Sequence, residues 1–270
     1  MDYSINVKGQ LVDLSVPQVM GILNVTPDSF YSDSRAQTER EIILRLRELV
    51  SQGATIVDVG GCSTRPDAPL ASEADEMQRL RLGLQTIRKE MSEVVLSIDT
   101  FRPNVARMAV EEFGADIVND VSGGCDDMFR LVAKLGVPYV LTSVEGTLRD
   151  VLLTFSDRVQ LLRDLGQKDI ILDPGFGFGK TLEQNYALMQ QLERLTVMEL
   201  PLMVGVSRKS MVYRKLGFSP AESLNGTTVL NTIALMKGAS ILRVHDVREA
   251  VEAVKIWSGV NSQIVNSQIV

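Results

Sequence analysis

The chain has 270 residues, of which 45% are hydrophobic, and a formal net charge of −6 at pH 7. This length and apolar content predict a single α/β domain over 1–270 with a large core. The acidic balance argues against nucleic-acid binding, which needs concentrated Lys and Arg. The sequence has no apolar run near the ~18 residues that span a bilayer, and no basic N-terminal segment before a hydrophobic one. It has only two cysteines, far apart in the chain. We therefore expect a cytoplasmic protein without membrane contact.

Short β-branched runs alternate with amphipathic helical stretches along the chain. The predicted strands are 19–25, 56–60, 94–99, 117–121, 139–143, 170–173, 202–206 and 241–244. The predicted helices are 41–50, 75–89, 103–113, 128–135, 155–165, 182–195, 229–236 and 247–257. Strands this continuously hydrophobic are buried on both faces, and parallel strands need helical crossovers. The pattern of about eight units predicts a (β/α)8 TIM barrel, with an open doubly wound sheet as the alternative.

One glycine-rich segment, DPGFGFGK at 173–180, joins the sixth predicted strand to a helix. A carboxylate at a strand end can pair with an NH-rich heterocycle, and glycines let the backbone approach a ligand. Phe176 or Phe178 can cover an aromatic ring. The glycine spacing fits neither a Walker loop nor G-x-G-x-x-G. A tight strand-to-helix turn without a ligand is the alternative interpretation.

Polar residues stand at the predicted carboxyl ends of the strands, where the catalytic groups of such barrels lie. They include Asn24, the run STRP at 63–66, Asp99, Asn119, Asp120, Asp173, the run SRKS at 207–210, Arg243 and His245. Each residue alone is explained as well by solvation or helix capping. Their convergence on one rim is what predicts a site.

These side chains divide into two kinds of subsite. The groups that can pair with a flat polar ring are Asp99, Asn119, Asp173 and Lys209. The groups suited to a diphosphate are Asn24, Thr64, Arg65, Arg243 and His245, with Asn24 also available to Mg²⁺. The SRKS run opens a helical stretch whose backbone N–H groups can hold an anion or carboxylate, with a simple N-cap as the alternative. His245, the single histidine, has a structural role as its alternative.

Seven motifs in order resemble those of the dihydropteroate synthases of the bacterial folate pathway. They are MGILNVTPDSF (20–30), STRP (63–66), IDT (98–100), ND (119–120), DPGFGFGK (173–180), SRKS (207–210) and RVHDV (243–247). Single tetrapeptides are weak signals, but seven ordered matches at predicted strand ends span nearly the whole chain. The resemblance implies a (β/α)8 transferase. Such enzymes join 6-hydroxymethyl-7,8-dihydropterin diphosphate and 4-aminobenzoate into 7,8-dihydropteroate, with release of diphosphate.

The resemblance also implies a role for each matching residue. Asn24 would bind Mg²⁺, and the diphosphate would be held by Thr64, Arg243 and His245. The pterin would be held by Asp99, Asn119, Asp173 and Lys209. The aminobenzoate site, which is also the target of sulfonamides, would be bordered by Phe30, Pro66, Phe178 and Ser207. The catalytic residues would be Asp99, Asp173, Lys209 and Arg243, and the family suggests a homodimer through helices near the C-terminus.

Several positions depart from the family pattern. Cys62 stands where Glu is usual, Tyr31 is inserted in the first loop, and Thr142 replaces a methionine that packs on the pterin. Two alternatives therefore remain: a pterin-binding barrel for methyl transfer, and a non-catalytic paralogue that keeps the pterin pocket. The tail repeats NSQIV at 261–265 and 266–270, and we expect it to lie outside the site and to have no function.

Overall fold

The computed structural model describes residues 3–26, 35–62 and 71–267. The strands are β1 (Ser4–Val7), β2 (Gln10–Asp13), β3 (Gln18–Asn24), β4 (Ile56–Gly60), β5 (Val95–Asp99), β6 (Ile117–Asp120), β7 (Tyr139–Thr142), β8 (Ile170–Asp173), β9 (Leu202–Val204) and β10 (Ala239–Val244). The α-helices are α1 (Arg35–Ser51), α2 (Glu73–Glu90), α3 (Pro103–Phe113), α4 (Asp126–Leu135), α5 (Leu148–Asp164), α6 (Leu182–Gln190), α7 (Ser210–Leu216), α8 (Leu224–Met236) and α9 (Val247–Ser267). Two short 3₁₀ helices cover Leu192–Met198 and Pro220–Glu222.

The eight strands from β3 to β10 form a closed parallel barrel in sequence order, with β10 pairing β3. This confirms the predicted (β/α)8 fold and rejects the open doubly wound sheet. Each strand is followed by helical segments and is buried on both faces, as parallel strands surrounded by helices require. The observed strand ends lie within two residues of the predicted ones.

The N-terminal hairpin of β1 and β2 was not among the predicted strands. Its two-residue turn, Lys8 and Gly9, has positive φ at both positions, 52° and 78°, as a type I′ turn requires. Ile5 and Val7 point from the hairpin into the apolar cluster inside the barrel. The hairpin therefore plugs the N-terminal mouth, and the C-terminal mouth is left for polar groups.

Several helices differ from their predicted ranges. The α5 helix begins at Leu148, because the Thr147 side chain caps it by accepting from the Asp150 N–H. The predicted helix 182–195 is divided into α6 and a 3₁₀ helix. The α9 helix continues through the first copy of the NSQIV repeat to Ser267. Within the described ranges, no helix is both long and apolar enough to cross a bilayer.

Arg88, near the end of α2, forms hydrogen bonds with the end of α3 and with the segment before β5, at the N-terminal end of the barrel. Its guanidinium donates to the carbonyl oxygens of Phe113 (2.9 Å), Ser92 (2.8 Å) and Val94 (2.8 Å), and to Gly114. It also pairs with Asp116, whose Oδ2 accepts from the Leu96 N–H. One side chain thus satisfies carbonyls at the end of α3 and in the chain entering β5.

We expect Arg88→Met to lower the free energy of unfolding by about 3 kcal/mol, because several carbonyls lose a charged donor. Arg81→Met is the matched control, since Arg81 lies on the same helix in a solvent-exposed pair with Glu112. That pair contributes about 0–1 kcal/mol. Urea unfolding of the two variants measures both values, and equal losses would contradict the role of Arg88.

Candidate active site at the carboxyl ends of the barrel strands

Inside the barrel, the side chains that point inward from each strand form two layers: an apolar layer, here called the floor, and a polar layer nearer the carboxyl ends of the strands. The floor contains Met20, Ile56, Ile117, Val140, Ile171, Met203 and Ile241. Side chains two residues further along a strand face the same interior. The polar layer is therefore formed by Asp58, Ser97, Asn119, Thr142, Asp173 and Arg243, followed at the mouth by Asn24, Asp99 and His245.

Arg243 lies at the centre of this layer, held by two carboxylates. Its Nε donates to Asp58 Oδ2 at 2.6 Å, and its Nη2 donates to Asp99 Oδ2. Asn119 Nδ2 also donates to Asp58 Oδ2, at 3.1 Å. Two predicted site residues, Arg243 and Asn119, thus meet on Asp58, which the sequence reasoning missed. A lone acid within the apolar run IVDVG, two residues after an inward-facing Ile56, was the available signal.

Burial dominates the electrostatics of the site. It raises the pKa of Asp99 to about 7, against the opposing charge of Arg243. Burial also raises the pKa of Asp173, opposed by Lys209, and lowers the pKa of Lys209 to about 8. For Arg243, burial acts to lower the pKa, but the charges of Asp58 and Asp99 outweigh it and raise the pKa.

The polar layer holds charges of both signs close together. The carboxyl groups of Asp58, Asp99 and Asp173 lie near the cations Lys180, Lys209 and Arg243. Because the pKa of Asp99 is about 7, its carboxyl group can be charged or neutral near pH 7. A buried layer of this composition can therefore stabilise charge that develops during a reaction.

The DPGFGFGK segment is both a tight turn and part of the site wall. Asp173 Oδ1 accepts from the Gly175 N–H at 2.8 Å, and Gly175 has φ +66°. A Cβ at Gly175 would lie 2.1 Å from the Ser143 carbonyl oxygen, so only glycine fits. Lys180 Nζ donates to the carbonyls of Ser143 (2.9 Å), Gly175 (2.9 Å) and Phe178 (3.3 Å). That ammonium ties the loops after β7 and β8 together.

The two aromatic residues of the segment have different places. Phe176 is fully buried in the core between barrel and helices, so the expectation that it can cover a ligand ring is wrong. Phe178 is half-buried, and Lys209 Nζ lies 4.3 Å from the centre of its ring. Lys209 also donates to the Phe176 carbonyl at 2.6 Å. Of the two rings, Phe178 is the one available at the site.

The SRKS run has fewer free hydrogen-bond donors for an anion than we expected from the sequence. The Arg208 guanidinium is occupied by a bidentate pair with Asp246, at 2.9 and 2.7 Å. The backbone N–H of Arg208 donates to Thr227 Oγ1, and that of Lys209 donates to the Val206 carbonyl. The expectation of free backbone donors is therefore wrong at these two positions, because the loop satisfies them internally. Ser207 Oγ accepts from the His245 N–H at 3.1 Å, which joins the ends of β9 and β10.

His245 and Asn24 stand at the mouth. Burial, together with the charge of Arg243, lowers the pKa of His245 to about 4, so the imidazole is neutral at pH 7 and can offer one N–H. Gly60 leaves room for Asn24, because a Cβ there would lie 3.2 Å from Asn24 Oδ1 and 3.7 Å from Asp99 Cβ. A hard amide oxygen in this position suits Mg²⁺ that keeps water and diphosphate oxygens as its other ligands. The described residues hold no group of three or more His, Cys, Asp or Glu placed for a metal.

Four predicted site residues, Phe30, Thr64, Arg65 and Pro66, lie outside the described residues, as does Tyr31. Two departures from the family pattern can be located. Cys62 is buried after β4. Thr142 is fully buried beside Asp173 in the β7–β8 register, and its Oγ1 has no hydrogen-bond partner in the described part of the chain.

Comparison with known proteins agrees with this geometry. The profile of the family described as pterin binding enzyme matches residues 20–245. A dihydropteroate synthase of Escherichia coli K12 is 38% identical over 265 residues, covering 92% of this chain and 93% of the relative.

Two solved structures extend the likeness to the fold. The dihydropteroate synthase of Xanthomonas albilineans with 4-aminobenzoic acid superposes with a TM-score of 0.90 at 33% identity, covering 97% and 99% of the two chains. The Yersinia pestis enzyme in a sulfonamide drug complex gives 0.87 at 36% identity, covering 97% and 100%. The chain therefore belongs to the pterin-binding enzyme family, among its dihydropteroate synthases.

Proposed function

We propose that this chain condenses 6-hydroxymethyl-7,8-dihydropterin diphosphate with 4-aminobenzoate to give 7,8-dihydropteroate and diphosphate. The observation that carries the proposal is the convergence of four strand residues, Asp99, Asn119, Asp173 and Arg243, with Lys209 from the loop after β9. The identity to dihydropteroate synthases over almost the whole chain supports it. A methyl-transfer barrel is the weaker candidate, because the named relatives are synthases.

The charges of the polar layer suit a reaction in which the leaving group departs early. The bond between the pterin methylene carbon and the diphosphate oxygen breaks, and positive charge spreads over the pterin ring. Asp99 and Asp173 stabilise this charge, and Lys209 and Arg243 fix the ring through donors to its oxygen and nitrogen acceptors. The aniline nitrogen of 4-aminobenzoate then forms the new bond to the methylene carbon and loses a proton.

The diphosphate end is assigned to the mouth of the barrel. Asn24 would hold Mg²⁺, which when bound neutralises negative charge on the diphosphate. His245 donates one N–H to a phosphate oxygen, and Thr64, Arg65 and the remaining N–H groups of Arg243 complete the subsite. Phe178, Ser207, Phe30 and Pro66 border the aminobenzoate ring. Turnover would occur in the cytoplasm as a step of folate biosynthesis.

The purified chain should form dihydropteroate from both substrates in the presence of Mg²⁺, and chelation with EDTA should stop turnover. Asp173→Asn should lower kcat/KM roughly 10- to 100-fold, the effect of losing one charged hydrogen bond. Asp169→Asn is the matched control, just before the other end of the same strand; among the described residues its carboxylate accepts one hydrogen bond, from the exposed backbone N–H of Asn6. A folded wild-type chain that binds a pterin without forming product would identify the non-catalytic paralogue instead.

Sulfonamides should inhibit turnover in competition with 4-aminobenzoate, because they share its aniline group and a negatively charged end. The inhibition should be relieved by raising the 4-aminobenzoate concentration. It should persist when the pterin diphosphate concentration is raised. Steady-state inhibition kinetics with each substrate varied in turn distinguish the two patterns. Inhibition that is insensitive to 4-aminobenzoate would contradict the placement of Phe178 and Ser207 at that subsite.

The proposed homodimer has a candidate surface on α8 and α9, which pack against each other. Large apolar residues remain exposed there, namely Val229 (51%), Met236 (63%), Ile256 (70%) and Val260 (51%). Val229 and Met236 are seven residues apart on α8, and Ile256 and Val260 are four residues apart on α9, so each pair lies on one face of its helix. An apolar stripe of this size suits a second copy of the chain.

Light scattering of the wild-type chain should give the mass of a dimer, and Ile256→Asp should give a monomer. Leu11→Asp is the matched control, since Leu11 is equally exposed (76%) but lies on the hairpin at the far end of the barrel. A wild-type chain that stays monomeric at high concentration would reject the homodimer.

A further inference from the structure

Asp58 is the most deeply buried acid of the polar layer, and the proposed chemistry assigns it no contact with substrate. Its side chain is fully buried in the middle of β4. A carboxylate in such a place is costly unless its oxygens are well partnered. Its Oδ2 accepts from both Arg243 Nε and Asn119 Nδ2, whereas Oδ1 has no partner among the residues described.

The contact with Asn119 decides which end of that amide faces the ligand. A side-chain amide has a donor end and an acceptor end, and the neighbours decide which one points where. Because Nδ2 is turned to Asp58, Asn119 Oδ1 points away from it, and that oxygen is buried with no partner in the described chain. Asn119 therefore has a free acceptor, and so does its register partner on β5, Asp99, whose Oδ1 is also without a partner among the described residues.

The contact with Arg243 decides which of its donors remain. A guanidinium has five N–H groups in a rigid plane. Asp58 takes the Nε–H and Asp99 takes one N–H of Nη2, so the plane is fixed from two sides. The two N–H groups of Nη1 and one of Nη2 have no hydrogen bond within the described ranges and are free for a ligand.

We propose that Asp58 is the positioning residue of the pterin subsite: it orients Asn119 as an acceptor and Arg243 as a donor without touching the substrate. This inference rests on the proposed function, because its test measures turnover of the pterin diphosphate. It extends that function by making a residue beneath the pocket responsible for pterin affinity. The charge of Asp58 also contributes to the raised pKa of Asp99, after burial, so its removal lowers that pKa.

The test compares Asp58→Asn with Asp116→Asn. Asp116 is also a buried acid that pairs with an arginine, Arg88, but it lies before β6 at the opposite end of the barrel. In Asp58→Asn the new amide can offer Asn119 a donor or an acceptor, so the orientation of Asn119 is no longer imposed. We expect KM for the pterin diphosphate and Kd for a pterin lacking the diphosphate to rise at least 10-fold, while KM for 4-aminobenzoate stays within twofold. Asp116→Asn should change neither the KM nor the Kd for the pterin.

Two further measurements separate positioning from general damage. The apparent pKa on the acid limb of the kcat/KM profile should fall in Asp58→Asn, since Asp99 loses a neighbouring negative charge. Asn119→Ala combined with Asp58→Asn should weaken pterin binding less than the product of the two single effects. If Asp58→Asn does not fold, Asp58→Ser, which keeps an acceptor of smaller size, takes its place in every assay.

Unchanged pterin affinity in a folded Asp58 variant overturns the proposal, and so does an equal rise in KM for both substrates. An inactive wild-type chain that still binds the pterin would reject the proposed function alone. In that event the Kd comparison between Asp58→Asn and Asp116→Asn still decides the role of Asp58.

Discussion

The structure depends on one buried guanidinium. Arg243 stands inside a closed barrel, where its side chain is only 12% exposed to water, and its charge is balanced by carboxylates from the two strands β4 and β5. Removing either carboxylate would leave part of the charge of Arg243 unbalanced in a low-dielectric interior, and such changes strongly lower the free energy of unfolding. The side chains of Asp58, Asp99 and Asn119 are therefore coupled through Arg243, and a change at one of them alters the partners of the others.

A polar interior of this kind needs an apolar support. The floor of Ile, Val and Met side chains fills the lower half of the barrel, and the N-terminal hairpin adds Ile5, Val7 and Leu14 beneath it. Outside the strands, a second apolar cluster joins the barrel to its helices. Burial of these two clusters supplies the free energy that offsets the desolvation of the charged layer.

Much of the fold was predictable from the sequence, because uniformly apolar strands followed by helical patterns leave few topologies. Asp99, Asn119 and Asp173 were also found, since a polar residue that ends an apolar run marks a strand end. Asp58 was missed because it lies inside such a run, where only the alternation of a barrel strand shows that it faces inward. Phe176 and Phe178 differ by two residues in one loop, and no pattern in the sequence told which ring would be buried. The hairpin was missed because its strands have four residues each, too few for the alternation of Ser4–Val7 to be distinguished from chance.

The plugged hairpin end gives the barrel the shape of a well. In the described part of the chain, apolar side chains fill the floor, so the polar layer is reached from the carboxyl ends of the strands. In the proposed function the pterin would lie deepest, against Asp99, Asn119 and Asp173, and 4-aminobenzoate would lie nearer the rim, beside Phe178 and Ser207. The two substrates would then be stacked, so the pterin diphosphate would have to bind before 4-aminobenzoate and could not leave past it.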